Sequence, residues 1–140
     1  RHLLADEGIP STDHEAAALR ALTALRASVI WRELERAVGD VHAEMPLASQ
    51  EGDTVRRGVI DLVYRVAGKG WKIVDYKTDR PVAGPAAVAT AASAAAASEA
   101  LIARYGTQVA IYASYWHTVT GEEVVEKGLW SRETGYVPLL

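Results

Sequence analysis

The 140-residue sequence contains no cysteine, and this absence excludes a disulfide framework, a thiolate zinc site and a cysteine nucleophile. It also lacks an apolar run long enough to span a bilayer, and no signal peptide is recognisable. A chain without cysteine is consistent with the reducing cytoplasm. We therefore expect a cytoplasmic protein with no membrane partner.

The sequence also has no excess of positive charge. It contains 15 lysines and arginines and 18 aspartates and glutamates, which gives a net charge of −3. A free-standing nucleic-acid-binding protein is usually basic, so this balance argues against tight binding of DNA by the chain alone. The hydrophobic content of 49% and the charged content of 24% are typical of a soluble globular protein. The length predicts one domain over residues 1–140.

The first forty residues carry helical spacing and form a predicted helical lead-in to a core over residues 41–140. Thr12 and Glu15 fit a capping box at the start of a helix. Ser28 is expected to cap a second, shorter helix. The inward face of the first helix is predicted from four apolar residues at helical spacing: Leu19, Leu22, Leu25 and Val29.

Alternating segments predict strands over 41–48, 57–66, 70–79, 124–130 and 136–139, with a helix over 99–118 between the third and fourth. Pro46 predicts an edge strand or a bulge. The alanine-rich stretch 86–97 is expected to be a loop-like spacer or a marginal helix. Together these elements predict an α+β domain in which helices flank a mixed sheet.

The alternation also assigns residues to faces. In the first strand Val41, Ala43, Met45 and Leu47 are expected on one face, with His42, Glu44 and Pro46 on the other. In the long helix the core-facing stripe is predicted to comprise Ile102, Val109, Ala113 and Trp116, and an adjacent stripe to comprise Leu101, Tyr105, Gln108, Tyr112 and Tyr115.

The third strand ends its inward face with charges, because Asp75 and Lys77 follow Trp71 and Ile73 on the same side. A buried charge is costly unless it is paired or binds a metal. These residues therefore indicate either a functional site or, as the simpler alternative, an ion pair at an exposed strand end.

Asp61 makes the functional alternative stronger. It lies in the middle of the second strand, on the face predicted for Val59 and Val63. The short connection 67–70 predicts a hairpin that brings Asp61 opposite Asp75. Two carboxylates suit a hard divalent cation, and a neighbouring lysine is suited to activating water or to stabilising charge on a phosphate.

Asp61 followed by Asp75-Tyr76-Lys77 resembles the core motif of the PD-(D/E)XK nucleases. The fuller segments 58–61 and 74–79 resemble the RecB-like branch, which is fused to UvrD/Rep-type helicases of the AddA and RecB class. Gln108 and Tyr112, one helical turn apart, are similar to the Gln-x-x-x-Tyr helix of that branch. The resemblance spans residues 41–130.

The resemblance implies a restriction-endonuclease-like fold and a deoxyribonuclease dependent on Mg²⁺ or Mn²⁺, expected to be an exonuclease in DNA end processing, recombination and repair. It implies that Asp61 and Asp75 bind the metal, with the carbonyl of Tyr76 as a third ligand. Lys77 is then expected to orient the attacking water.

Three further residues are expected to support this site. The resemblance implies that Gln108 and Tyr112 line it and steady Lys77 or a phosphate. The segment Glu44-Met45-Pro46 resembles a family motif, so Glu44 is expected to hold Lys77 or an arginine, or to approach the metal through water. The alternative for Glu44 is an exposed carboxylate on an edge strand.

The resemblance also predicts what is missing. Members of this branch carry a metal-binding histidine ahead of the strands, and His2 is the candidate, although we expect the histidine to lie outside this chain. Because the sequence begins at Arg1, we expect it to be a fragment of a larger helicase-nuclease, with attached helicase domains and a second subunit. Without the histidine, the isolated fragment is expected to have a weakened metal site and to be inactive.

Two alternatives remain from the sequence. One is a catalytically silent module of the same fold that binds DNA or braces a helicase, which the acidic charge balance favours. The other is an exonuclease unattached to a helicase that resembles the Cas4 class, which is disfavoured because such proteins carry cysteines for an iron–sulfur cluster and this chain has none.

Overall fold

The computed structural model describes residues 12–37, 39–77 and 91–139. Its helices are α1 (Thr12–Ala27), α2 (Val29–Leu34) and α3 (Ala91–Thr120). Its strands are β1 (Val41–Glu51), β2 (Thr54–Val66), β3 (Gly70–Lys77), β4 (Val124–Ser131) and β5 (Gly135–Leu139). His2, the last two residues of the predicted third strand (78–79) and the start of the alanine-rich stretch (86–90) lie outside the described residues.

Within the described part of the chain, the strands form one sheet in the order β1-β2-β3-β4-β5. Strands β3 and β4 pair in parallel, and the other neighbours pair antiparallel. The predicted α+β fold with a mixed sheet and flanking helices is confirmed, and it matches the restriction-endonuclease-like architecture. Pro46 lies on β1, at the edge of the sheet, as its missing N–H predicts.

Helices cover both faces of the sheet. On one face lies α3, which supplies the crossover connection that the parallel pair β3 and β4 needs. On the α3 face, Val109, Tyr112 and Trp116 pack against residues from four strands: Leu47, Ile60, Val63, Trp71, Ile73 and Leu129. On the opposite face, Ile30 of α2 packs in a second buried cluster with Ala37, Leu62, Tyr64, Val66, Val74 and Trp130.

The two N-terminal helices differ in how well the sequence predicted them. Ser28 caps α2, and its hydroxyl accepts a hydrogen bond from the Trp31 N–H at 3.4 Å. The predicted inward face of α1 is wrong, because Leu19 is 65% exposed and Leu22 is 58% exposed. Among the residues predicted to face inward, Leu25, in the last turn of α1, packs against the second cluster. Helical spacing identifies residues that share a face, but it does not determine what covers that face.

Helix α3 is longer than predicted, since it begins at Ala91 and already includes the alanine run 91–97. Alanine has the highest helix propensity, and a run continuous with a packed helix needs no separate nucleus. Ile102 was wrongly assigned to the core stripe and is 38% exposed. The helix instead turns a neighbouring line of side chains to the sheet: Leu101, Tyr105, Val109, Tyr112 and Trp116.

Strand β1 changes face at Glu44, which has a φ of 52°. Before this residue, His42 lies against Trp71 and Trp116, with ring centroids 5.9 and 5.7 Å apart. After it, Met45 packs on the same α3-facing cluster. The strict alternation predicted for this strand is therefore wrong, because a left-handed backbone conformation in mid-strand interrupts the two-residue period.

Strand β2 changes face at the matching position, Asp61. Ile60 and Val63 both belong to the α3-facing cluster, although they are three residues apart. Val59 is 45% exposed, so the prediction that Asp61 shares a face with both Val59 and Val63 is wrong. The pairing of Ala43 with Leu62 and of Met45 with Ile60 leaves Glu44 opposite Asp61, with no direct pairing between them. The kink in β1 is thus matched in β2.

Gly128 is required by the ring of Tyr136 rather than by a turn. A Cβ atom at this position would lie 2.5 Å from Cε2 of Tyr136 and 2.6 Å from its hydroxyl oxygen. We expect Gly128→Ala to lower the free energy of unfolding by about 1–3 kcal/mol, as overpacking does elsewhere. Urea denaturation of both proteins measures the change, and Gly121→Ala, where no atom lies within 4 Å but φ is +72°, separates crowding from backbone strain.

Candidate active site

The hairpin of β2 and β3 brings Asp61 and Asp75 together. The paired ladder ends at Leu62 and Val74, so the two aspartates follow at the next position of the register. Oδ2 of Asp61 accepts a hydrogen bond from the backbone N–H of Tyr76 at 2.7 Å. This bond fixes one oxygen of Asp61 and orients its carboxylate along the end of β3.

Lys77 lies on the same face of β3 as Asp75, two residues further on. Its Nζ is 2.6 Å from Oδ2 of Asp75 and donates a hydrogen bond to Oε1 of Gln108 at 3.1 Å. The ammonium also lies 4.3 Å from the centroid of the Tyr105 ring. A carboxylate, an amide oxygen and an aromatic face therefore hold one flexible side chain in a defined position.

Gln108 and Tyr112 extend this arrangement along α3. Nε2 of Gln108 donates a hydrogen bond to the Tyr112 hydroxyl at 2.5 Å. The Tyr112 ring lies over Gly58, where an added Cβ would be 3.4 Å from Cε1 of the ring. The glycine of β2 thus allows the tyrosine to lie close to the sheet, and a continuous chain of contacts runs from Tyr112 through Gln108 to Lys77.

Burial determines the electrostatics of Asp75, which is 1% exposed. Burial raises the pKa of the Asp75 carboxyl, the ion pair with Lys77 lowers it, the charge on Asp61 raises it again, and the net pKa is raised. Although Lys77 is close, Oδ2 of Asp75 receives no hydrogen bond of suitable geometry from the described residues. A buried carboxylate oxygen without a directional donor is suited to a cation.

Tyr76 contributes its backbone rather than its side chain. Burial, together with the charge on Asp61, raises the pKa of the Tyr76 hydroxyl to about 12, so it stays protonated at neutral pH. The N–H and C=O of one residue in a strand point to the same neighbouring strand. Since the N–H of Tyr76 is bonded to Asp61, its carbonyl is also directed toward the β2 side, where Asp61 lies.

These donors fit a divalent metal that keeps several waters. Two carboxylates, from Asp61 and Asp75, and the carbonyl of Tyr76 offer oxygen atoms only, which is the ligand set that Mg²⁺ or Mn²⁺ accepts. Among the side chains that the structure describes, no group of three or more histidines, aspartates or glutamates is assembled. The described residues therefore offer part of a coordination shell, and His2 lies outside them.

Glu44 is placed near this site but is not bonded to it. It is exposed, at the kink opposite Asp61. The ion pairs among the described residues include none between Glu44 and Lys77 or an arginine, so that expectation finds no support in the structure. An approach of Glu44 to the metal through water remains a prediction.

Tyr105 and Arg57 have no individual role predicted from the sequence motifs. Tyr105 lies under the ammonium of Lys77, and its spacing of three and seven residues from Gln108 and Tyr112 was the available signal. Arg57 lies at a pocket beside Gln108 and Tyr112. No periodicity signals a role for this arginine, because the pocket forms only when α3 packs on β1 and β2.

A mixed sheet that carries two adjacent carboxylates and a lysine at the end of a hairpin defines a candidate nuclease-type site. The sequence matches the PD-(D/E)XK nuclease superfamily over residues 1–136, and the chain belongs to this superfamily. The match includes α1, α2, α3 and strands β1 to β4. No curated protein matches the chain. In the described part of the chain, no helix is both long and apolar enough to cross a membrane.

Proposed function

We propose that this domain is a divalent-metal-dependent deoxyribonuclease of the RecB/AddA-like branch, expected to act as an exonuclease. The observation that carries the proposal is the buried Asp75 carboxylate, which lies beside Asp61 and within 2.6 Å of the Lys77 ammonium. Membership of the nuclease superfamily supports hydrolysis of a phosphodiester. A sheet end that served only packing has no need for such a costly group of charges.

Each residue has a proposed part in hydrolysis. Asp61, Asp75 and the carbonyl of Tyr76 would hold the metal, and the metal would supply Lewis acidity toward the substrate phosphate. Lys77 donates hydrogen bonds to the attacking water and to a phosphate oxygen, and its ammonium offsets the charge that develops there. The oxygen of water adds to phosphorus as the water gives up a proton to solvent, the bond from phosphorus to the leaving oxygen breaks, and the leaving oxygen takes up a proton from solvent.

Gln108 and Tyr112 position Lys77 rather than react. Tyr112 is 5% exposed and fixed over Gly58, so its hydroxyl is a rigid anchor for the amide of Gln108. The amide oxygen of Gln108 then accepts from Lys77. A lysine otherwise carries considerable rotamer freedom, and this restraint lowers the entropic cost of reaching the transition state.

The wider setting is also a proposal. The segments 58–61 and 74–79 resemble the branch attached to UvrD/Rep-type helicases, and the net charge of −3 suits a domain that receives DNA from an attached motor. We propose a role in DNA end processing, recombination and repair, with helicase domains and a second helicase-nuclease subunit as partners. DNA-stimulated ATP hydrolysis by the intact gene product tests this setting, and its absence contradicts it.

Metal binding to the chain tests the site directly. We expect Mn²⁺ to stabilise the protein by about 2.7 kcal/mol when its concentration is a hundred times the dissociation constant. The Asp75→Asn variant is expected to lose this stabilisation, because the neutral amide is a poorer metal ligand. Calorimetric titration and thermal unfolding, with and without Mn²⁺, measure both effects. Asp53→Asn, the same change at an exposed turn, is the matched control and should behave as wild type.

The pH dependence has a defined sign. Because burial raises the pKa of Asp75, its carboxyl keeps a proton above the ordinary value of 3.8, and metal binding requires that proton to leave. Mn²⁺ affinity should therefore rise with pH through this range.

Cleavage of DNA by the same samples distinguishes the nuclease from the silent module. Metal binding by wild type without cleavage favours the silent or truncated domain, and no binding at millimolar Mn²⁺ contradicts the site.

A further inference from the structure

Three arginines lie around a half-buried tryptophan where α1 joins α2. Arg26 is in the last turn of α1, Arg32 is in α2, and Arg36 follows one turn later. All three arginine side chains are exposed. The guanidinium of Arg26 lies 5.6 Å from the centroid of the Trp31 ring, and Arg32 donates a hydrogen bond to the carbonyl of Ala27 at 3.4 Å. Together with the four-residue spacing of Arg32 and Arg36, these contacts form one surface, which we call the junction patch.

The groups that hold these arginines are neutral. An indole ring lies under Arg26 and a backbone carbonyl accepts from Arg32. Across the described residues, none of the three guanidiniums makes an ion pair with a carboxylate. Neutral partners restrain an arginine without compensating its charge, and most of its five N–H donors remain for another partner. A side chain that is already restrained loses less conformational freedom when it binds.

The carboxylates of α2 and its C-terminal end do not compensate the patch fully. Glu33 points to the sheet, where its Oε2 lies 3.0 Å from the buried Nζ of Lys72. Oε1 of Glu35 accepts a hydrogen bond from Nε1 of Trp31 at 2.9 Å. Three arginines against this one remaining carboxylate leave an excess of two positive charges, although the net charge of the chain is −3. The junction patch is therefore a local positive surface on an acidic domain.

We propose that the junction patch binds the phosphate backbone of the substrate DNA, away from the phosphodiester that is cut. The inference rests on the proposed nuclease function and adds a second contact surface for its substrate. A guanidinium matches the geometry of a phosphate, and a partly exposed tryptophan adds a stacking surface. Helices α1 and α2 pack on the face of the sheet opposite α3, so the patch and Lys77 contact different parts of one DNA molecule.

The salt dependence of DNA affinity tests the patch without catalysis. Fluorescence anisotropy in EDTA measures the binding of a labelled duplex at several salt concentrations. We expect Arg26→Gln, Arg32→Gln and Arg36→Gln each to weaken binding and to reduce the slope of log affinity against log salt by about 0.9, the value for one phosphate contact on duplex DNA. Lys69→Gln, at the exposed turn between β2 and β3, removes the same charge outside the patch and should leave the slope unchanged.

The variant Glu35→Gln should have the opposite effect. It removes the carboxylate of the patch but keeps an amide oxygen that can accept the hydrogen bond of Trp31. We expect the affinity for DNA to rise by about 1.4- to 5-fold, the range that one exposed ion pair supplies. Damage to the fold lowers affinity, so a gain in Glu35→Gln separates an electrostatic role of the patch from a structural one.

Several results would overturn the patch. They are no binding of DNA by the wild type at low salt, unchanged salt slopes in the arginine variants, or tighter binding of polyglutamate than of DNA, which would assign the patch to an acidic protein segment. Cleavage of DNA by the wild type in Mn²⁺ is recorded separately. Cleavage with unchanged slopes contradicts the patch and leaves the nuclease proposal intact, whereas reduced slopes without cleavage support the patch and favour the silent module that binds DNA.

Discussion

Replacing Lys77 by methionine should lower the rate of DNA cleavage by about 10²- to 10³-fold, the usual cost of removing one charged donor from a developing oxyanion. Methionine is unbranched and nearly as long as lysine, so the loss of rate would come from the missing charge and not from a change of shape. Lys77 is 14% exposed and is held by Asp75, Gln108 and Tyr105. Single-turnover cleavage at saturating Mn²⁺ measures the effect.

Metal affinity separates this role from that of the carboxylates. Methionine removes a positive charge 2.6 Å from Asp75, so Mn²⁺ should bind to Lys77→Met at least as tightly as to wild type above neutral pH. Burial raises the pKa of Asp75 and Lys77 opposes it, so the variant should lose metal at a higher pH than wild type as pH falls. Lys69→Met, at an exposed turn, is the control. If Lys77→Met cleaved DNA at the wild-type rate, Lys77 would have no part in the mechanism.

Replacing Lys72 by methionine should be the most destabilising of the proposed substitutions, although it lies on the face of the sheet away from the candidate site. Lys72 is 1% exposed, with Nζ 3.0 Å from Oε2 of Glu33 and 2.7 Å from Oε1 of Glu126. The Tyr64 hydroxyl donates to Glu33 and the Tyr136 hydroxyl to Glu126, at 2.6 and 2.8 Å. One ammonium therefore compensates two carboxylates and connects α2 to β3 and β4.

We expect the free energy of unfolding at pH 7 to fall by about 3 kcal/mol in Lys72→Met, because two partly buried carboxylates are left without their cation. The figure is at the lower end of such losses because Glu126 keeps 34% exposure. Urea denaturation measures it, and Lys69→Met should change the free energy by less than about 0.5 kcal/mol. A neutral result for Lys72→Met would show that this network adds nothing to stability.

At acid pH we expect a smaller difference in the free energy of unfolding between wild type and Lys72→Met. Burial alone would raise the pKa of Glu126, but its bonds to Lys72 and Tyr136 outweigh burial and the pKa is lowered. A depressed carboxyl pKa contributes stability above the ordinary value of 4.5, and that contribution is lost as pH falls through the folded value. In Lys72→Met, protonation of Glu33 and Glu126 would remove their uncompensated charges and raise the free energy of unfolding. The double variant Lys72→Met/Glu126→Gln should recover part of the lost stability at pH 7.

The sequence by itself determined the hairpin and the charges at its end. The short glycine-containing turn is a local property and places Asp61 beside Asp75. The two-residue alternation of β3 is also local and places Lys77 on the same face as Asp75. The order of strands and helices likewise predicted the mixed sheet, and the spacing of Gln108 and Tyr112 predicted that they point the same way. These features need no knowledge of distant contacts.

Only the tertiary structure decided which side chains meet across elements. The alternation of β3 placed Lys72 and Asp75 on opposite faces of the strand. The burial of Lys72, however, depends on Glu33 from α2 and Glu126 from β4. The face change at Glu44 arises from one backbone angle that no composition reveals. Arg57 lies at a pocket that exists only because α3 packs on the first hairpin. Such contacts join residues far apart in sequence, and burial and packing, rather than local propensity, determine them.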